Sequence, residues 1–143
     1  MTEIEKFVEK MKQKYGRNVV VKMRNCNEET LTQVPQPLVE LYTYYDSIEF
    51  PFGRIDSMEN AVKYSNTAEP FKSKGWFCFG FDGYFSFWLC SYSPDLEGLW
   101  ITSWDHDMED EIECVYLNLV EFLQDMEEEY DFDMATKLPK VSR

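Results

Sequence analysis

Ile4, Phe7, Val8, Met11 and Tyr15 stand three or four positions apart, which places them on one face of a helix. Thr2 followed three residues later by Glu5 supplies a capping box for its start, and Gly16 a stop for its end. Val19, Val20 and Val21 then read as a short strand, because β-branched side chains suit a pleated surface. Pro35 and Pro37 open a second helix, with Leu38, Leu41, Tyr42 and Tyr45 as its buried stripe and a stop near Asp46. Pro51 and Gly53 interrupt the stretch from Ile48 to Ile55, so it is expected to form only short or edge strands. Ser57 and Asn60 introduce a brief third helix that runs through Tyr64.

From Trp76 to Tyr92 two aromatic runs flank Asp82-Gly83, a pair that predicts a two-residue type I′ hairpin turn. With Phe81 opposite Tyr84, one face would carry Phe77, Phe79, Phe81, Tyr84, Ser86 and Trp88. The other face would carry Trp76, Cys78, Gly80, Phe85, Phe87 and Leu89. Neither face is polar, so either helices cover the hairpin on both sides, which is the expectation favoured, or one side is a binding surface. Residues 98–104 alternate into a further strand, and Asp105 to Glu113 form an acidic loop. Asn118 and Glu121 cap a last helix whose stripe is Leu119, Phe122, Leu123, Met126 and Tyr130. No structure is assigned after Asp131.

These elements predict an α+β fold: a single domain over residues 1–131, a largely antiparallel sheet with flanking N-terminal and C-terminal helices, and a flexible tail over 132–143. Hydrophobic residues at 44%, with 17% aromatics, are enough to build a core in a chain of this length. The first residues lack a basic head followed by an apolar run, and no later window is apolar enough to span a bilayer. The chain therefore reads as cytoplasmic, with no membrane contact. Cys26, Cys78, Cys90 and Cys114 are far apart and have one histidine, His106, to join them, which argues against zinc and for reduced core thiols.

Charge changes the picture more than composition does. Between Gly75 and Thr136 there is no lysine or arginine, but there are sixteen Asp or Glu, while residues 1–74 are balanced at eleven of each sign. The net charge of −13 thus belongs to one segment. Such a field repels nucleic acid and speeds the encounter with a basic protein. Counted from Asp105 as the start of an EF-hand loop, the sixth position is Asp110 where glycine is needed, and the twelfth is Tyr116 where glutamate is needed. His106 between Asp105 and Asp107 has no nucleophile, phosphate loop or metal partner beside it, and no serine lies in a nucleophile elbow. No enzyme, cofactor or metal site is expected.

Four features recur in a familiar order. Val34-Pro35 precedes a helix ending Leu41-Tyr42-Thr43-Tyr44-Tyr45-Asp46, and Ile55-Asp56-Ser57-Met58-Glu59 leads into a short helix. Phe79-Gly80-Phe81-Asp82-Gly83 forms a hairpin, and Tyr116 to Leu123 ends in Val120-Glu121-Phe122-Leu123. Over Val34 to Leu123 this resembles the SMI1/KNR4 family of the SUKH superfamily. The resemblance implies an α+β domain with an antiparallel sheet. It also implies an immunity protein that binds and neutralises a toxin domain, often a nuclease, as bacterial members do; fungal relatives look like regulatory interaction modules. It carries no catalytic motif and no transferable binding residue. The expected contacts with a basic partner therefore come from this sequence: Asp105, Asp107, Glu109, Asp110, Glu111 and Glu113, with Asp82 at the turn and Trp104 as an aromatic anchor.

Overall fold

A computed structural model describes residues 1–24, 28–105 and 111–141. Helix α1 (Glu3–Tyr15) is followed by one 3-10 turn, strand β1 (Val20–Met23), and helices α2 (Glu28–Leu31) and α3 (Gln36–Tyr44). Strands β2 (Tyr45–Phe50) and β3 (Gly53–Ile55) lead to helices α4 (Met58–Thr67) and α5 (Phe71–Lys74). Strands β4 (Trp76–Phe81), β5 (Ser86–Ser91) and β6 (Ile101–Asp105) precede the final helix, α6 (Leu119–Val141). The six strands lie in chain order in one antiparallel sheet, so the fold is α+β.

The ends of α1 follow from local chemistry. Thr2 Oγ accepts the amide hydrogen of Glu5 at 3.2 Å, and the Glu5 carboxylate accepts that of Thr2 at 3.1 Å, so two orphan donors of the first turn are satisfied reciprocally. Ile4, Phe7, Val8 and Met11 are buried as the spacing requires. At the other end of the chain, Asn118 Oδ1 accepts from the Glu121 amide at 2.9 Å, and Leu119, Phe122, Leu123 and Met126 are buried. These two helices, with α3, cover one face of the sheet over a core that includes Ile48, Phe79 and Trp88. On the opposite face, Phe71 of α5 packs with Cys78 and Leu89, and Tyr64 of α4 lies against Phe71. Both faces of the hairpin thus meet helices.

Several expectations need correction. The stretch expected to form short or edge strands gives two interior ones: β3 is short, at three residues, but β2 is a full six-residue strand, because Pro51 falls in the turn after it and removes no ladder bond; β1 and β6 are the edges. Tyr45 starts β2 and does not extend the stripe of α3. The short α2 was not foreseen, and α4 runs three residues past Tyr64. Helix α6 continues beyond Asp131, with residues 132–136 exposed, since a helix satisfies its own backbone bonds without a buried face.

The hairpin differs most. Phe81 pairs with Phe87 and not Tyr84, and a bulge lies between Cys78 and Gly80, so Phe79 and Gly80 both oppose Trp88. The extra residue transfers Phe81 to the face of Phe87, its ring 4.9 Å away. Only glycine fits beside the Trp88 ring: a Cβ at position 80 would lie 2.3 Å from the Arg54 carbonyl oxygen and 2.7 Å from Trp88 Cε3.

Candidate functional site

Of the eight residues expected to meet a partner, Asp107, Glu109 and Asp110 lie outside the described residues. So do His106 and Cys26. The structure places the other five in three settings, two of which, the Asp82 loop and the end of β6, meet at Ser86.

Asp82 shapes the hairpin loop. One of its carboxylate oxygens accepts the amide hydrogens of Tyr84 at 2.8 Å, Phe85 at 3.1 Å and Ser86 at 3.1 Å, and its own amide donates to the Ser86 carbonyl at 3.0 Å. Three convergent N–H donors draw the chain into a wider loop than a two-residue turn. The loop lifts Tyr84 and Phe85 into solvent.

Trp104 and Asp105 belong to the end of β6. The Trp104 ring packs edge-on to Phe71 at 6.2 Å and parallel to Phe87 at 6.3 Å, so it faces the second core cluster and is only half-buried. Its Nε1 is buried without a hydrogen-bond partner among the described residues. Asp105 pairs with Ser86 across the strands.

Glu111 and Glu113 are exposed. Glu113 lines a groove of about 620 Å³ together with Asp95 and Glu97, over a floor that includes Trp76 and Ile112. The loop that supplies Asp95 and Glu97 is fixed by local bonds. Asp95 Oδ1 accepts from the amides of Glu97 at 2.8 Å and Leu99 at 2.9 Å, and Gly98 takes φ 83°, a conformation that favours glycine. At its crest Leu96 is fully exposed between the two carboxylates. Asp95, Glu97 and Leu96 were not among the expected contacts; the interval free of basic residues that flagged the others includes them too.

The outer side of α6 extends the acidic surface. Asp125, Glu129 and Asp133 follow one another at four-residue spacing, on one helical face. Burial, followed by the neighbouring charges of Asp125 and Asp133, raises the Glu129 carboxyl above its ordinary value. Tyr116 is pushed up by burial and then by its hydrogen bond with Asp125. On the inner side, Lys14 of α1 reaches Glu127 at 2.6 Å and also binds Asp131, which accepts from Tyr15 Oη at 2.7 Å. Among the described residues, the ion pairs of this segment all run to Lys14.

The thiols are poor nucleophiles. Burial, followed by the Asp56 charge, pushes Cys78 up to about 12, and burial likewise raises Cys90, so both stay protonated at neutral pH. Among the described residues there is no cluster of three or more His, Cys, Asp or Glu that would hold a metal ion, and no helix is long and apolar enough to cross a membrane. The chain matches no protein-family model, no curated protein and no solved structure.

Proposed function

We propose that this protein is an immunity protein that neutralises a cognate bacterial polymorphic toxin of nuclease type by binding it directly. Its carboxylates would cover the cationic surface on which the toxin holds phosphates. One observation carries the reading: Asp95, Glu97, Glu111 and Glu113 stand exposed in a segment without a single lysine or arginine, with Leu96 projecting between the first two. A nuclease surface offers clustered cations, and an apolar anchor ringed by carboxylates supplies both the long-range attraction and the desolvated contact that hold such a partner. The resemblance of Val34 to Leu123 to the SMI1/KNR4 family supports the same reading, and an antiparallel sheet with flanking helices is the fold it implies.

The test is co-purification from the native organism with this protein as bait and the salt concentration stepped upward. Capture of a toxin domain that weakens as salt rises is the expected result. Recovery of a housekeeping complex in its place would overturn the reading in favour of a regulatory interaction module. With the toxin in hand, the variant E97K/E111K/E113K should lose inhibition, since all three positions are exposed and their reversal leaves the loop-fixing bonds of Asp95 in place. Full inhibition by that variant would refute the acidic surface as the binding site.

A further inference from the structure

A cleft on the face of the sheet that carries Cys78 and Phe87 differs in charge from the acidic groove beside Glu113. It lies between α4 and the β4–β5 hairpin, with a volume of about 450 Å³, within the range of small-molecule sites. Lys63, Tyr64 and Thr67 form its helical wall, at spacings that put all three on one face of α4. Phe81 and Phe87 form the sheet wall, and Cys78 lies at the base. The bulge at Phe79 makes this wall: without the extra residue Phe81 would point into the main core. As built, the Phe81 and Phe87 rings are 4.9 Å apart, and Tyr64 lies near-parallel to Phe87 at 6.4 Å.

The charges of the cleft do not cancel. Arg54 Nε binds Asp56 at 3.0 Å, so that pair is neutral. Lys63 is exposed and has no ion-pair partner among the described residues. The cleft therefore carries one uncompensated positive charge in a chain of net −13. Four further grooves among the described residues carry the opposite sign. Those lined by Glu3, Glu40 and Glu121, by Asp95, Glu97 and Glu113, and by Glu128, Glu129 and Asp133 hold no cation. The groove beside Glu49 and Asp82 has Arg54 alone against two carboxylates.

We infer that this cleft binds a small aromatic monocarboxylate of one or two rings. The flat body lies against Phe81, Phe87 and Tyr64, where ring contacts add to the burial of area. The carboxylate meets Lys63, with the free nitrogens of the Arg54 guanidinium within the same cleft. A single negative charge balances the site. A phosphate dianion would leave one negative charge in excess beside the half-buried Asp56, and a cation would face Lys63 directly.

The experiment titrates 3-phenylpropanoate, and separately 3-phenylpropanamide, into the purified, isotope-labelled chain and follows backbone amide shifts. It needs no toxin, so its outcome is independent of the immunity reading. The expected result is saturable shifts centred on Lys63, Tyr64, Phe81 and Phe87, with the amide binding about tenfold more weakly than the acid, a difference of about 1.4 kcal/mol. Lys63→Gln should reduce acid binding to the level of the amide; because Lys63 is exposed, the variant keeps its packing, and an unchanged urea midpoint verifies this. Equal binding of acid and amide, shifts centred elsewhere, or no saturation would overturn the proposal. So would a strong preference for a peptide with a C-terminal phenylalanine over 3-phenylpropanoate, which would make the site a peptide groove.

Discussion

Gly80→Ala is expected to be one of the most destabilising single-methyl additions in this protein. The new Cβ would sit 2.3 Å from the Arg54 carbonyl oxygen, where ordinary contact begins at 3.4 Å, so β3 must withdraw from β4 by about 1 Å. That oxygen belongs to the backbone and has no rotamer by which to yield. Withdrawal over the short pairing of Arg54 with Phe81 and Ile55 with Gly80 stretches its hydrogen bonds past useful length. Each lost bond costs about 1 kcal/mol, and overpacking against Trp88 adds about 1–3 kcal/mol. A total of about 3 kcal/mol is a large share of the about 5–15 kcal/mol that holds a domain folded. In urea, with a slope of about 1.5–2 kcal/mol/M, the midpoint should fall by about 1.5–2 M at constant slope. A cycle with Trp88→Phe divides the effect. Removing the outer ring relieves the contact at 2.7 Å but leaves the carbonyl clash, so about 1 kcal/mol of coupling should be recovered. A Gly80→Ala variant within about 0.5 kcal/mol of the parent would show that the strands do not approach this closely, and with it the account of the bulge would fail.

Lys14→Met should cost about 2–3 kcal/mol in chemical denaturation, since it leaves the buried Glu127 carboxylate without its partner; an effect below about 0.5 kcal/mol would deny the clamp a structural role. Asp82→Ala removes the acceptor of three loop amides and should lower stability by about 1–2 kcal/mol, with hydrogen exchange of Tyr84, Phe85 and Ser86 accelerated ahead of the strands. Glu129→Gln should stabilise by about 0.5–1 kcal/mol at neutral pH, because it removes two like-charge pairs on α6. Glu129 has a raised folded-state value, so its penalty is present in full above that value and disappears as pH falls below the unfolded value. The gain from glutamine must therefore vanish on acidification, and a gain that persists in acid would assign the effect to helix propensity instead.

Cap residues made the two long helices readable, because the Thr2–Glu5 box and the Asn118 cap on the Glu121 amide act within one turn of chain. Hydrophobic spacing identified their buried faces for the same reason. The hairpin was legible as a hairpin but not in its register. Asp82-Gly83 has the composition of a two-residue turn, yet the Asp82 side chain captures three amides and widens the loop. The bulge at Phe79 answers to Trp88 and to the Arg54 carbonyl, contacts that local pattern does not encode. The candidate site divides along the same line. Glu111 and Glu113 were found by counting charges along the chain, whereas Asp95 and Glu97 join them only because the fold returns the loop before β6 to the groove beside Glu113. The Lys63 cleft was invisible, since Arg54, Lys63 and Phe81 come from three elements and none is unusual in its own stretch.

Because every strand pairs with its neighbour in the chain, the sheet can form from contacts that each close a modest stretch of backbone. The α1–α6 junction is different in kind: Lys14 and Glu127 are 113 positions apart. Against the widest strand pairing, Val20 with Glu49, this loop is about four times longer and costs about 1.2 kcal/mol more in chain entropy, so the junction is favoured only once the sheet has brought the ends together. It is therefore a late contact, absent from the folding transition state and present in the native one. Its loss should speed unfolding while leaving the folding rate almost unchanged, which makes a single lysine on the first helix a determinant of how long the folded molecule survives and not of how fast it is made.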